Sequence, residues 1–149
     1  MLTEEFQQTF ADFFPPVAPD TAAALSSVRE MGWRVGVISN GSPAQRLKIT
    51  TTGLLELIDG YCVSAEVGVR KPDPAIFRLA AERLGASLAE AWMIGDSPEA
   101  DIAGAHRIGI ASAWIRLGRS WEQSDFEPSL SVESVAEAVR LILGGPEVR

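Results

Sequence analysis

The stretch that decides the fold is Ala91-Trp92-Met93-Ile94-Gly95-Asp96-Ser97-Pro98-Glu99-Ala100-Asp101-Ile102. Its first four residues are apolar and continuous, which predicts a short strand that is covered on both faces. Asp96 follows at the carboxyl end of that strand, where open α/β sheets place their ligands. Ser97 is a good helix N-cap, and Pro98 suits the first helical position. The segment therefore predicts a buried strand over 91–95 that turns at once into a helix over 98–107.

Asp96 and Asp101 are expected to point towards the same spot, because Asp101 lies one turn into that helix. Two carboxylates at a strand end, beside a helix N-terminus, suit a hard cation such as Mg²⁺. A second interpretation is that Asp96 only caps the turn and Asp101 only favours the helix dipole. This segment by itself leaves both interpretations open.

The composition is that of an ordinary globular protein with the length of one domain. The chain has 149 residues, of which 46% are hydrophobic and 22% charged, enough for one core. A net charge of −7 without a basic run argues against nucleic acid or a membrane surface as a partner. The single cysteine, Cys62, lies in an apolar stretch and is expected to be buried. The sequence has neither a signal-peptide pattern nor a membrane-spanning apolar run, so the default expectation is a cytoplasmic protein.

Helical and extended patterns alternate along the chain. Helices are predicted over 3–14, 20–31, 42–52, 73–84, 98–107 and 132–143, and strands over 33–38, 58–63, 91–95 and 110–117. The first helix has one apolar face, which consists of Phe6, Phe10, Phe13 and Phe14. The alternation predicts a three-layer α/β sandwich around a parallel sheet.

Polar side chains lie at or just beyond the ends of the predicted strands. Ser39 follows strand 33–38, and Lys71 lies in the loop after strand 58–63. Each has an ordinary interpretation, since serine often starts a turn and lysine is usually solvated. Together with the acidic pair, however, a hydroxyl and an ammonium group at one sheet edge would suit a phosphoryl group and its metal.

Three segments, taken in order, resemble the motifs of the haloacid dehalogenase (HAD) superfamily. They are Val35-Gly36-Val37-Ile38-Ser39-Asn40-Gly41, Glu66-Val67-Gly68-Val69-Arg70-Lys71-Pro72-Asp73-Pro74-Ala75-Ile76-Phe77 and Ile94-Gly95-Asp96-Ser97-Pro98-Glu99-Ala100-Asp101-Ile102. The resemblance implies a HAD-like core domain over residues 16–149, with residues 1–15 as the remnant of a helical cap.

The same resemblance implies a role for each matching residue. Ser39 is the second-motif hydroxyl and Lys71 the third-motif lysine, both with catalytic roles, while Asp96 is a Mg²⁺ ligand and Asp101 supports the metal shell. Substrate binding is implied for Ser39, Asn40, Gly41 and Lys71. The acidic pair resembles the Mg²⁺-dependent phosphatases more than the metal-free dehalogenases. This implies Mg²⁺ as cofactor and a small phosphomonoester, such as a nucleotide or sugar phosphate, as substrate.

The first motif of the family, Asp-x-Asp-x-Thr on an N-terminal strand, has no counterpart in these 149 residues. In the family its first aspartate is the nucleophile, and without that carboxylate the aspartyl-phosphate route does not exist. We therefore expect this chain to be inactive or nearly so as a phosphatase. The alternative function is a non-catalytic HAD-like α/β module that acts through protein contacts.

The resemblance places the missing strand in the middle of the sheet, because the strand order of the family is 3-2-1-4-5. We expect strand 33–38 to pair directly with strand 91–95, since buried unpaired backbone groups cost about 1–3 kcal/mol each. A second copy of the chain filling the gap is the alternative. The apolar face of helix 3–14 has lost its cap partners, which predicts a homodimer.

Overall fold

The computed structural model describes residues 2–4, as backbone only, together with residues 17–42 and 44–144. The strands are β1 (Leu2–Glu4), β2 (Val35–Ser39), β3 (Gly60–Val63), β4 (Trp92–Gly95), β5 (Ala111–Ile115) and β6 (Leu130–Val132). The α-helices are α1 (Pro19–Glu30), α2 (Ala44–Thr51), α3 (Ser64–Val67), α4 (Pro74–Leu84), α5 (Ala103–Ile108) and α6 (Val135–Gly144). All neighbouring strands pair in parallel, in the order β3-β2-β1-β4-β5-β6. The predicted α/β class with a parallel sheet is confirmed.

Apolar side chains on both faces of the sheet hold the layers together. Every residue of β2 is buried. Val37 belongs to the cluster that includes Leu25 of α1 and Val139 of α6, whereas Ile38 packs with Phe77 of α4. Because successive strand residues point to opposite faces, helices on both sides bury a strand of nearly continuous apolar residues.

The middle of the sheet differs from our prediction. Strand β1 lies between β2 and β4, with Leu2 opposite Val35 and Trp92, and Glu4 opposite Val37 and Ile94. The prediction that β2 and β4 pair directly is therefore wrong. The physical reason given for direct pairing still applies, since the facing backbone groups need hydrogen-bond partners, but a segment of the same chain supplies them.

The N-terminal helix predicted over 3–14 is wrong at residues 3 and 4, which belong to strand β1. The rest of that stretch lies outside the described residues. The same holds for its apolar face, which consists of Phe6, Phe10, Phe13 and Phe14.

The segment after β5 also differs from the prediction. The loop expected over 118–130 ends in β6, which pairs with β5 through Ala113 opposite Leu130, and α6 begins only at Val135. A three-residue strand is too short to show an alternating pattern, so no periodic signal in this segment predicts it.

Cys62 of β3 is fully buried, as predicted, and its sulfur is a free thiol. Burial raises the pKa of this thiol, against a smaller opposing effect of the nearby Arg83 cation. Within the described ranges, no helix combines the length and the apolar composition needed to cross a bilayer.

Candidate active site at the carboxyl edge of the sheet

The carboxyl ends of β2 and β4 bring the predicted polar residues to one edge of the sheet. Ser39 is the last residue of β2, and Asp96 follows directly after β4. Lys71 lies in the loop between α3 and α4. Ser39 and Lys71 are each 1% exposed and Asp101 is 0% exposed. The edge therefore holds a hydroxyl, an ammonium group and a carboxylate that are all shielded from solvent.

Lys71 and Asp101 form a buried ion pair. The ammonium Nζ of Lys71 lies 2.7 Å from Oδ1 of Asp101 and also donates to the carbonyl oxygen of Ile38, at 2.8 Å. The interpretation of Lys71 as a solvated lysine is wrong. A buried charge needs a partner of opposite sign and further hydrogen bonds, and both are present. The hydrogen bond to Ile38 also fixes the ammonium group at the residue that precedes Ser39 in β2.

The second oxygen of Asp101 holds the turn that follows β4. Oδ2 accepts a hydrogen bond from the backbone N–H of Ser97, at 3.1 Å. The hydroxyl of Ser97 accepts from the N–H of Ala100 at 3.1 Å, which confirms Ser97 as the N-cap of the π-helical turn Pro98–Ile102 that leads into α5. Gly95 is required here, because a Cβ at this position would overlap the carboxylate of Asp101. Asp101 therefore connects the strand end to the lysine.

The side chain of Asn40 binds the backbone of Lys71 in both directions. Its Nδ2 donates to the carbonyl oxygen of Lys71 at 2.9 Å, and its Oδ1 accepts from the N–H of Lys71 at 2.8 Å. Next to it, the hydroxyl of Ser64 accepts from the N–H of Gly41 at 2.9 Å. Sequence reasoning missed Ser64, whose only signal is its position directly after β3. These bonds set the position of the lysine relative to the end of β2.

The hydroxyl of Ser39 differs from its neighbours. Its Oγ is buried and has no hydrogen-bond partner within the described part of the chain. Leaving a buried polar group unsatisfied costs about 1–3 kcal/mol, and native proteins contain few such groups. An unsatisfied hydroxyl beside a buried ammonium group can donate to an anionic ligand.

Two side chains from beyond β4 hold the backbone of Asp96. The carbonyl oxygen of Asp96 accepts from Nε1 of Trp114 at 3.1 Å and from Nη2 of Arg119 at 2.5 Å. The guanidinium of Arg119 also lies over the indole ring of Trp114, 5.2 Å from its centroid. Trp114 is 1% exposed, and sequence reasoning missed Arg119. Both residues support the strand end from the β5 side.

The described residues do not form a complete magnesium site. Both carboxylate oxygens of Asp101 are engaged, by Lys71 and by the Ser97 amide. Across the described ranges, no group of three or more His, Cys, Asp or Glu side chains is arranged to hold a metal ion. Magnesium binds through one or two carboxylates, several waters and substrate phosphate oxygens, and the other carboxylate of the predicted pair, that of Asp96, lies directly after β4 at this edge. The described residues alone therefore do not specify a catalytic step that uses a metal ion.

The fold is an α/β sandwich with buried polar side chains at the carboxyl edge of a parallel sheet, and comparison with known proteins identifies its family. The haloacid dehalogenase-like hydrolase family model matches residues 3–109, so the chain belongs to that family. It is 35% identical to the phosphoserine phosphatase of Thermus thermophilus over 123 residues, which cover 82% of this chain and 49% of the relative. It is 32% identical to a pyrimidine 5'-nucleotidase of Escherichia coli over 143 residues, which cover 95% of this chain and 63% of the relative.

A solved structure agrees with the family assignment. The crystal structure of the HAD phosphatase from Thermococcus onnurineus superposes with a TM-score of 0.76 at 35% sequence identity, over 87% of this chain and 59% of that one. The chain thus spans about half the length of the curated relatives that it matches, from 43% to 63% for four of them.

Proposed function

We propose that this chain is the core of a phosphohydrolase that acts on small phosphomonoesters, with the phosphoryl group bound at the carboxyl edge of the sheet. The observation that supports this most directly is the unsatisfied, buried hydroxyl of Ser39 next to the buried ammonium group of Lys71. A phosphoryl oxygen would accept a hydrogen bond from the hydroxyl, and the ammonium group would offset its negative charge. The printed names of the relatives, a phosphoserine phosphatase and a nucleotidase, agree with a small phosphorylated substrate.

Each residue of the edge has a distinct role in this proposal. Ser39 and Lys71 contact the phosphoryl group, and Asn40 and Gly41 form the adjacent wall. Asn40 also keeps Lys71 in place through its two bonds to the lysine backbone. Asp101 holds the ammonium group of Lys71 in place through their buried ion pair at 2.7 Å.

Binding of inorganic phosphate, followed by NMR or calorimetry, tests this proposal without requiring turnover. Replacing Ser39 by alanine should raise the Kd for phosphate about 10- to 150-fold, since a hydrogen bond to a charged group contributes about 1.5–3 kcal/mol. Ser27→Ala on the exposed side of α1 is the matched control and should leave the Kd unchanged. Equal phosphate affinity in the wild type and the Ser39→Ala variant would contradict the proposal.

For the cofactor we propose a weakly bound Mg²⁺ with Asp96 as its direct protein ligand and Asp101 as support for the metal shell. When bound, the ion would neutralise charge on the phosphoryl oxygens. Weak binding is expected because Asp101 is already engaged by Lys71 and Ser97. A magnesium titration by NMR should shift the amide signals around Asp96, and Asp96→Asn should abolish these shifts. If magnesium shifts the same amide signals in Asp96→Asn as in the wild type, the ion does not bind at Asp96.

Turnover is a separate question from binding. The sequence contains no Asp-x-Asp, so a carboxylate nucleophile in the family position is missing, and we expect no Mg²⁺-dependent hydrolysis of generic phosphomonoesters above background. Hydrolysis that survives purification and disappears in Asp96→Ala would overturn this expectation.

The same missing motif favours a second candidate, a non-catalytic cytoplasmic module that acts through protein contacts, including a homodimer. Light scattering at high concentration distinguishes a monomer from a homodimer, and a clean monomer would argue against the homodimer. Failure of the chain to bind phosphate would favour this second candidate over the hydrolase.

A further inference from the structure

A cavity of about 410 Å³ opens beside the candidate site, on the β3 side of Asn40. One wall is formed by Asn40 and Gly41, and the other by Ser64 and the loop that ends at Arg70. Its volume is in the range of small-molecule pockets, about 300–1,000 Å³. Because the side chain of Asn40 is bonded to the backbone of Lys71, the cavity adjoins the phosphoryl position.

The polar groups at the base of this cavity already satisfy one another. The N–H of Gly41 donates to the hydroxyl of Ser64 at 2.9 Å, and that hydroxyl donates to the carbonyl oxygen of Gly41 at 3.3 Å. These groups therefore set the shape of the cavity, and a ligand would have to find its polar partner elsewhere in the lining.

Arg70 carries the one full charge among the described residues of the lining. Its guanidinium makes no ion pair or hydrogen bond with the rest of the described chain, and no carboxylate lines the cavity. The nearby Glu66 is paired with Arg46, at 3.6 Å. In a protein with a net charge of −7, an arginine that has neither an ion pair nor a nearby lining carboxylate among the described residues is a local site of positive potential.

The cavity on the opposite side of Asp96 has the reverse character. It is lined by the carboxylates of Glu99 and Glu122, and its one cation, Arg119, donates to three backbone carbonyl oxygens. An anionic group would be repelled there and attracted by Arg70. An anionic leaving group is therefore expected to lie on the Arg70 side of this edge and not on the Glu99 side.

We propose that Arg70 determines specificity by binding a second anionic group, a carboxylate or a second phosphate, on the leaving group of the phosphomonoester. The planar guanidinium matches either group with two parallel hydrogen bonds. The inference rests on the proposed function, since it assumes a phosphoryl group at Ser39 and Lys71.

Three matched probes test the inference by calorimetry on the full chain. Ethyl phosphate carries no second anion, phosphoglycolate adds a carboxylate, and ethane-1,2-diyl bisphosphate adds a second phosphate. The wild type should bind one or both of the probes that carry a second anionic group about fivefold more tightly than ethyl phosphate, the upper range for an exposed ion pair. The ratio of the Kd values should fall to about one in Arg70→Gln and only part of the way in Arg70→Lys, which keeps the charge but cannot form the two parallel hydrogen bonds. It should persist in the control Arg78→Gln on the exposed side of α4. Raising the salt concentration to 0.5 M should also reduce the ratio of the Kd values in the wild type, because exposed charges are screened.

The outcomes separate this inference from the proposed function. If ethyl phosphate binds and Ser39→Ala weakens it, while the wild-type ratio is about one or Arg70→Gln keeps the full ratio, the role of Arg70 is overturned and the proposed function stands. If none of the probes binds, or if Ser39→Ala has no effect on ethyl phosphate, both are overturned.

Discussion

Replacing Lys71 by methionine is the sharpest test of the buried ion pair. The variant keeps most of the side-chain volume but leaves the carboxylate of Asp101, which is 0% exposed, without its cation. Removing one partner of a buried pair costs about 3–5 kcal/mol, because the other charge stays buried and uncompensated. With an unfolding entropy of about 0.3 kcal/mol/K for a chain of 149 residues, this corresponds to a fall in Tm of about 10–16 °C.

Urea unfolding followed by circular dichroism, together with calorimetry, measures this loss. A second variant combines Lys71→Met with Asp101→Asn, which removes both charges and keeps an oxygen for the Ser97 amide. The double variant should be more stable than Lys71→Met alone, by about 1.5–3 kcal/mol, since contacting charges couple by up to about 3 kcal/mol. The other lysine, Lys48, is only partly buried on α2, and Lys48→Met should cost about 1 kcal/mol or less.

Two results would refute this reasoning. A loss below about 1 kcal/mol for Lys71→Met would mean that the pair is not desolvated in solution. A double variant no more stable than the single one would mean that the loss comes from the packing of the lysine stem and its bond to Ile38, with no contribution from an uncompensated carboxylate.

Three further changes test neighbouring parts of the site. Gly95→Ala should destabilise the fold by about 1–3 kcal/mol, because the new Cβ would overlap Asp101; a loss below about 0.5 kcal/mol in urea unfolding would contradict this. Asn40→Ala removes both hydrogen bonds to the Lys71 backbone. It should lower the free energy of unfolding by about 2 kcal/mol, at about 1 kcal/mol for each bond. An unchanged unfolding midpoint would show that the loop keeps its conformation without these bonds. Burial raises the pKa of the Cys62 thiol above its ordinary 9.0, so its contribution to stability is complete below pH 9 and is lost as the pH rises through the folded value. Cys62→Ala should lack this extra alkaline loss, and iodoacetamide should label the wild type only after unfolding.

Much of the site could be predicted from short segments of sequence. The run from Ala91 to Ile94, with Asp96 and Ser97 directly after it, specifies a strand, a turn and a helix cap through local preferences alone. The burial of Lys71 could not be predicted in this way. Lysine is rarely buried, and its partner Asp101 lies thirty residues further along the chain, so the pair depends on the tertiary structure.

The two strands that were missed are each three residues long. Leu2–Glu4 precedes a stretch with the spacing of a helix, and its strand conformation follows from the two neighbours that need backbone partners. Leu130–Val132 pairs with β5 and forms the edge of the sheet, and a very short edge strand is one way in which proteins limit an open edge. In both cases the neighbouring strand determines the conformation, and such a requirement leaves no periodic signal in the segment itself.

The central position of β1 has a consequence for synthesis. Leu2 pairs with Val35 on one side and with Trp92 on the other, so its second neighbour is made ninety residues after it. At about 5–20 residues per second on a ribosome, that interval lasts about 5–18 s. During this time β1 can pair only with β2, and the two halves of the sheet cannot join until β4 has emerged.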